Sequence, residues 1–237
     1  MQALSNFTNF ARDCRKIVCI GRNYADHIKE LNNARPLEPF FFLKPTTALL
    51  LPGEGAVQIP RGVQCHHEVE LAVIIGKKVK NLKEDDIEGA MGSIAGYAVG
   101  IDMTGRNVQD NAKKKGLPWA AAKGFDTFNP ISKFITKEQI PDPHNVVLYL
   151  TVNDETKQED STELMLFNIP KLISHVSGIM TLEPNDIIMT GTPKGVGQVK
   201  AGDVMTAGVR VNGKEIEEGK LRVPVEDATD GYEYKGF

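Results

Sequence analysis

His67-Glu68-Val69-Glu70-Leu71-Ala72-Val73-Ile74-Ile75 is the most apolar strand-length stretch of the chain, and it opens on two carboxylates. A short run rich in β-branched residues reads as a buried strand, and its period of two puts Glu68 and Glu70 on the same face. Two acids side by side on an apolar strand repel each other and call for a cation between them. Oxygen-only donors favour a hard ion such as Mg²⁺, Mn²⁺ or Ca²⁺. Taken alone, the pair is also compatible with a strand end whose acids are simply solvated. Cys65, His66 and His67 just upstream raise zinc as an alternative, but neighbouring residues on a strand point in alternating directions, which counts against it.

Moving outward, similar short runs occur at Lys16 to Ile20, Phe40 to Leu43, Tyr97 to Ile101, Val146 to Val152, Ile187 to Thr190, Val204 to Val211 and Leu221 to Val225. Gly and Pro fall between them, and Asn212-Gly213 is a hairpin-turn pair. Helical spacing is rarer. Leu166, Ile169, Leu172, Ile173, Val176, Ile179 and Met180 recur at three and four, predicting one amphipathic helix that ends before Glu183-Pro184-Asn185-Asp186 and covers a sheet face. Glu84 to Met91 and Thr104 to Lys115 read as two more helices and Tyr24 to Leu31 as a short one. Regular βα alternation is absent, which argues against Rossmann and TIM layouts and for an α+β, β-rich fold.

The composition bounds the function. The 237 residues are enough for one large domain or two small ones, and 41% are hydrophobic, as in a globular protein. Lys plus Arg at 28 against Asp plus Glu at 31 leaves no basic excess for a nucleic-acid partner. No apolar run approaches the roughly 20 residues of a membrane-spanning helix. Cys14, Cys19 and Cys65 form no Cys-x-x-Cys, so neither a disulfide framework nor a zinc knuckle is indicated, and a reducing compartment fits. Asn6-Phe7-Thr8 matches a glycosylation sequon by chance, since no signal segment precedes it. Arg12, Arg15 and Lys16, with Leu4, Phe7 and Phe10 at helical spacing, give only a weak transit-peptide character.

Further candidates surround the acids. Asp102 stands where the run Tyr97 to Ile101 ends. If the segment beyond it is helical, Asp102, Arg106 and Gln109 share one stripe, with Arg106 able to hold a substrate carboxylate; an ordinary i,i+4 ion pair at a helix start is the plainer reading. Lys123, inside Pro118-Trp119-Ala120-Ala121-Ala122-Lys123-Gly124-Phe125, either snorkels or does electrostatic work. The glycines of Gly191-Thr192-Pro193-Lys194-Gly195-Val196-Gly197 suit a tight loop around a small ligand, without the ending of a nucleotide P-loop. In Gly21-Arg22-Asn23-Tyr24-Ala25-Asp26-His27-Ile28-Lys29-Glu30, His27 and Glu30 lie at i and i+3. That is the layout of a carboxylate-oriented general base, or of a chance pair on an exposed helix.

Six segments in order, Val18-Cys19-Ile20-Gly21-Arg22-Asn23-Tyr24, Phe42-Leu43-Lys44-Pro45, His67-Glu68-Val69-Glu70-Leu71, Asp102-Met103-Thr104, Lys113-Lys114-Lys115-Gly116-Leu117-Pro118-Trp119 and Thr190 to Gly197, resemble the fumarylacetoacetate hydrolase family from about residue 15 to 225. The likeness is greatest to its mitochondrial acylpyruvase and oxaloacetate decarboxylase (oxaloacetate tautomerase) branch. The resemblance implies a mixed β-sandwich roll with a few covering helices, usually a homodimer. Residues 1–15 are then an N-terminal extension and 16–237 a single catalytic domain. It implies a divalent metal, Mg²⁺ with Mn²⁺ or Ca²⁺ as alternatives, at Glu68, Glu70 and Asp102. A water-activating dyad, His27 and Glu30, sits on a lid over 24–35 expected to pack poorly without ligand. The resemblance further implies Lys123 as the catalytic cation, and substrate contacts at Arg22, Arg106, Gln109 and Thr192. The chain is too short for the extra N-terminal domain of fumarylacetoacetate hydrolase itself, so fumarylacetoacetate is not the favoured substrate. The implied substrates are small 2-oxo acids, and acylpyruvate hydrolysis, oxaloacetate decarboxylation and oxaloacetate tautomerisation share an enolate. An isomerase or hydratase of diene-dioic acids, or a catalytically silent binding protein, are the rivals. The family points to the mitochondrial matrix; the weak leader leaves the cytoplasm open.

Overall fold

A computed structural model describes residues 7–30 and 34–236; Leu4, Asn6 and Leu31, named above, lie outside them. In chain order the first half runs α1 (Phe10–Asp13), β1 (Ile17–Gly21), α2 (Ala25–Glu30), β2 (Phe40–Lys44), β3 (Leu49–Leu50), β4 (Val57–Ile59), β5 (Cys65–His67), β6 (Val69–Ile75), α3 (Ile87–Met91), β7 (Ile94–Ile101), β8 (Thr104–Gly105), α4 (Arg106–Lys115) and α5 (Ala120–Lys123). The second half runs β9 (Asn129–Pro130), β10 (Ile135–Thr136), β11 (Val147–Val152), β12 (Glu155–Ser161), α6 (Ile169–Ile179), β13 (Ile187–Met189), β14 (Gly197–Gln198), β15 (Val204–Val211), β16 (Lys214–Glu215) and β17 (Leu221–Asp227). Each expected strand is present within a few residues of its expected ends.

Two mixed sheets carry the fold. One has the order β10-β7-β6-β13-β1-β2, antiparallel except for β1 beside β13; the other has the order β12-β11-β15-β17-β4, antiparallel except for β17 beside β4. Smaller sheets, β14-β5-β8 and β3-β9, link them. The sheets share one core: Leu71, Val73 and Ile75 of β6 and Val99 and Ile101 of β7 cluster with Leu148 and Leu150 of β11, Ala207 and Val209 of β15, and Val223 of β17. The alternate residues of β6, Ala72 and Ile74, join a second cluster with Ile17, Cys19, Ala98 and Met189 under Phe10, Ala11 and Cys14. Strand β6 is therefore apolar on both faces, which is why its sequence reads as a continuous run rather than an alternation.

Helix boundaries shift for identifiable reasons. Helix α6 starts at Ile169 because the Asn168 side chain accepts a hydrogen bond from the Lys171 amide and caps it there. Leu166 and Phe167 upstream instead dock on Asn23, through its carbonyl and its side-chain oxygen respectively. Helix α4 starts at Arg106, since Thr104 and Gly105 pair with His66 and Cys65 as β8; it ends on Gly116 in the left-handed region. Strand β12 lacks a hydrophobic signature. It is an edge strand delivered by a two-residue turn, Asn153 and Asp154 both at positive φ (51° and 67°), the hairpin geometry those residue types tolerate.

The cysteines are free and buried, and burial pushes the thiols of Cys14 and Cys65 up to about 12, so they are unreactive at neutral pH. No helix among the described residues is long and apolar enough to cross a membrane.

Candidate active site

The acids come together, though by another route than strand periodicity. Glu68 lies at the break between β5 and β6, where the chain leaves one sheet and enters another, rather than within the strand. Glu70 is inside β6, and Asp102 follows the last residue of β7, its amide donating to the Glu68 carbonyl at 2.8 Å. Asp102 also precedes α4 instead of belonging to it. The expected stripe therefore reduces to Arg106 and Gln109, joined at 2.6 Å one turn apart. Arg106 pairs with Glu68 at 2.5 Å, not with Asp102. Oxygens of Glu68, Glu70 and Asp102 lie within 4.8 Å of one another, all buried.

Buried cations surround the acids. Lys123, at the end of α5, does not snorkel: it is 1% exposed and its ammonium contacts Glu68 at 2.9 Å and Asp102 at 2.6 Å, 5.1 Å above the Phe42 ring. Lys44, the last residue of β2, reaches the other oxygen of Asp102 at 2.5 Å and the Met103 carbonyl at 2.9 Å. Burial works to raise the Glu68 carboxyl, but Lys123 and Arg106 outweigh it and hold the group well below the usual range. Glu70 goes the other way: burial, then repulsion from Asp102, push it well above that range, and its only hydrogen bond among the described residues is from the Gly191 amide at 2.7 Å. The donor set, three clustered carboxylates of which one lacks a counter-ion, fits a hard divalent cation held by Glu68, Glu70 and Asp102.

The loop after β13 ties the two halves of the site together. Gly191, at φ +99°, gives its amide to Glu70, and a side chain there would lie 2.7 Å from Asn23 Cβ. Thr192 donates to the Val69 carbonyl at 2.8 Å. Gly195, at φ +94°, sends its amide to both oxygens of Glu30 at 3.0 and 3.2 Å. Glu30 in turn meets His27 Nδ1 at 3.4 Å. Burial lowers the His27 pKa, partly offset by Glu68 and Glu30, so the ring is neutral and able to accept a proton at pH 7. Tyr24, His27 and Ile28 are buried, so α2 packs against the site; residues 31–33 of the 24–35 segment lie outside the described residues.

Arg22, His27, Glu68, Glu70, Asp102, Arg106, Gln109, Lys123 and Thr192 line one recess of about 410 Å³, counting its open mouth, with Phe42 and Trp119 as its aromatic wall. His67, the zinc candidate, bonds Gln158 through Nδ1 at 3.0 Å instead. Two supports have no role in the sequence reading. Lys44 is one, although a lysine inside Phe-Phe-Phe-Leu-Lys signals a buried charge in need of a partner. Gln158, 1% exposed on an otherwise polar edge strand, accepts from the Val69 amide and donates to Thr192 Oγ1 and the Pro193 carbonyl, which fixes the loop; nothing local distinguishes it from its neighbours.

Known proteins match along nearly the whole chain. The family model for the fumarylacetoacetate (FAA) hydrolase C-terminal domain covers residues 16–226. A mitochondrial oxaloacetate tautomerase of Schizosaccharomyces pombe is 54% identical over 81% of this chain and 87% of its own. A mitochondrial oxaloacetate decarboxylase of Dictyostelium discoideum is 52% identical over 82% and 88%. Among solved structures, a yeast fumarylacetoacetate hydrolase family protein superposes with a TM-score of 0.87 at 40% identity, covering 97% of this chain and 100% of that one. Fumarylpyruvate hydrolase from Pseudomonas aeruginosa, in complex with Mn²⁺ and pyruvate, gives 0.80 at 32% over 91% of each. With sequence and fold agreeing, this chain belongs to the fumarylacetoacetate hydrolase family.

Proposed function

We propose that the protein is a mitochondrial, divalent-metal-dependent enzyme that acts on small 2-oxo acids through their enolates, in acylpyruvate hydrolysis, oxaloacetate decarboxylation and oxaloacetate keto-enol tautomerisation. The observation that carries this is the convergence of three buried carboxylates, a buried lysine and a histidine paired with Glu30 on one small recess. Names of relatives at about 50% identity, tautomerase and decarboxylase, point the same way, as does their mitochondrial assignment.

Glu68, Glu70 and Asp102 hold the metal, with Mg²⁺ the favoured ion and Mn²⁺ or Ca²⁺ alternatives; Mn²⁺ is present in the Pseudomonas relative. When bound, the cation would supply Lewis-acid chemistry where enolate charge develops on the substrate. Lys123 adds a fixed positive charge beside the substrate's enolate oxygen at the buried floor of the recess. Arg106 and Gln109, already joined, orient the substrate carboxylate, and Thr192 and Arg22 complete its contacts. His27, turned by Glu30, takes the proton from a water attacking the distal carbonyl in hydrolysis and moves the C3 proton in tautomerisation. Decarboxylation needs no nucleophile. The catalytic unit is residues 16–237, with 1–15 as an extension, and it works as a homodimer.

The test follows enol absorbance and pyruvate release separately, with oxaloacetate and with acetylpyruvate, under Mg²⁺ and under a chelator. Turnover that requires the divalent ion and disappears in Glu70→Ala together with metal affinity is the expected result. Chelator-resistant turnover, or normal metal binding in Glu70→Ala, overturns the assignment.

A further inference from the structure

Lys123 is carried on a slight support. Helix α5 is a single turn of four residues, in which the amides of Ala122 and Lys123 donate to the Trp119 carbonyl at 2.9 and 3.0 Å and that of Gly124 donates to the Ala120 carbonyl at 2.8 Å. A lone turn has no stability of its own, because fixing its dihedrals costs more than its few hydrogen bonds return. What holds its two ends therefore sets its orientation, and with it the place of the Lys123 ammonium. At the entry, Trp119 packs on Phe40 and Phe42 with ring centroids 5.2 and 5.6 Å apart. At the exit the anchor is Phe125.

The Phe125 ring is held from two sides, by fully buried Phe128 at 5.1 Å and by Tyr232 at 5.2 Å. The Phe128 amide donates to the Phe125 carbonyl at 3.2 Å, and the Phe128 carbonyl accepts from the amide of Met103, the residue after Asp102, at 3.0 Å. Space there is tight: a side chain at Gly105 would lie 3.0 Å from Val63 and 3.4 Å from both the Ala122 carbonyl oxygen and the Phe125 ring. Phe125 thus sets α5 against the strand end that presents Asp102, whose carboxylate Lys123 contacts. Tyr232 arrives from the far end of the chain. Beyond β17 the tail crosses β4, the Ala228 amide donating to the Ile59 carbonyl at 2.8 Å and the Tyr234 amide to the Arg61 carbonyl at 2.9 Å, while Tyr234 packs against the main core. Between these two anchors the Tyr232 ring, 39% exposed, is pinned onto Phe125.

We propose that Tyr232, on the C-terminal tail, is a positioning residue for Lys123: by closing over Phe125 it braces α5 and holds the ammonium where the reaction uses it. The inference rests on the reading above that Lys123 stabilises enolate charge. It predicts a split in the kinetics. Lys123 acts on charge that develops in the transition state, whereas the ground-state contacts to substrate come from other side chains, so a displaced ammonium lowers kcat and leaves KM nearly alone. A tail that only covered apolar surface would change stability and leave kcat untouched. The contact is between rings, so phenylalanine serves at this position as well as tyrosine.

The test compares the full-length, Mg²⁺-loaded wild type with Tyr232→Ala, Tyr232→Phe, Phe125→Leu and the Tyr232→Ala/Phe125→Leu double variant. Each is measured in steady-state turnover of oxaloacetate and acetylpyruvate and in hydrogen exchange followed by mass spectrometry. Tyr232→Ala is expected to lower kcat by about tenfold with KM within about twofold, as for a misplaced catalytic group. Tyr232→Phe should stay within about twofold of wild type. In Tyr232→Ala the peptide spanning 119–125 should exchange at least roughly tenfold faster while the β6 peptide keeps its rate, the mark of local rather than global opening. The double variant should be little worse than Phe125→Leu, because both changes remove one contact. An unchanged kcat, an equal loss in Tyr232→Phe, a KM that rises as far as kcat falls, or faster exchange in β6 as well overturns the brace. If wild type turns over neither acid with Mg²⁺, the enolate reading fails, and the exchange pattern alone then decides whether Tyr232 braces α5.

Discussion

Replacing Lys44 by Met tests whether the acid cluster is built to hold a cation. The ammonium of Lys44 is fully buried, its 2.5 Å pair with Asp102 is 2% exposed on the acid side, and it also serves the Met103 carbonyl. Met fills similar volume without charge, so the loss is electrostatic. Removing one partner of a buried pair costs about 3–5 kcal/mol, because the remaining charge is stranded. Lys123 still contacts Asp102, which favours about 4 kcal/mol rather than the top of the range. For a chain of this size 1 kcal/mol corresponds to about 2–4 °C, so Tm in EDTA should fall by roughly 8–16 °C. A divalent ion on Asp102 replaces the lost charge. With saturating Mg²⁺ the fall should therefore be less than half as large, and by linkage Lys44→Met should bind Mg²⁺ more tightly than wild type. Thermal unfolding followed by circular dichroism, with and without Mg²⁺, reads both. A fall of equal size in the two conditions, or of under about 2 °C in EDTA, would show that Asp102 does not need the cation.

His27→Ala should lower acetylpyruvate hydrolysis by roughly 10² to 10⁴ and oxaloacetate decarboxylation by clearly less, with tautomerisation between; equal losses in steady-state assays would assign His27 to substrate binding or closure instead. Gly195→Ala places a Cβ 2.0 Å from the Lys157 carbonyl oxygen at φ +94°. The loop must then shift and withdraw its amide from Glu30, and hydrolysis should fall at least tenfold while Mg²⁺ affinity stays within about threefold, a split checked by kinetics and calorimetry. Glu70 is held above the ordinary carboxylate range, so Mg²⁺ competes with a proton for it. Calorimetry in two buffers of different ionisation enthalpy should show proton release and affinity rising with pH; no release contradicts the assignment. The sign for stability follows. A raised folded-state pKa contributes stability that is complete below the unfolded value and lost as pH climbs through the raised one, so the metal-free protein should weaken on that climb and Mg²⁺ should restore it.

The strands, the α+β class and the identity of the acids were legible in the chain because they rest on local signals. A run such as Leu71 to Ile75 is apolar at every position, and Gly and Pro mark its neighbours' ends. His27 and Glu30 are three residues apart on one helix, a distance that periodicity resolves. Order and spacing of six motifs then carried the family, since together they are far more specific than any one alone.

Only the tertiary structure decided how those residues are used. Lys44 and Asp102 are 58 positions apart, Lys123 and Glu68 are 55 apart, and Gln158 and Val69 are 89 apart; no periodicity spans such distances. Glu68 lies at a crossing between sheets and Asp102 ahead of α4, because pairing of β5 with β8 competes locally with strand continuity and with helix propensity, and the pairing prevails. The same holds for the contrast between Glu68 and Glu70. Two glutamates separated by one residue are alike in the sequence, yet one is held ionised by Lys123 and Arg106 and the other is pushed toward its neutral form by burial and then by Asp102, a difference made by chain segments that folding brings from elsewhere.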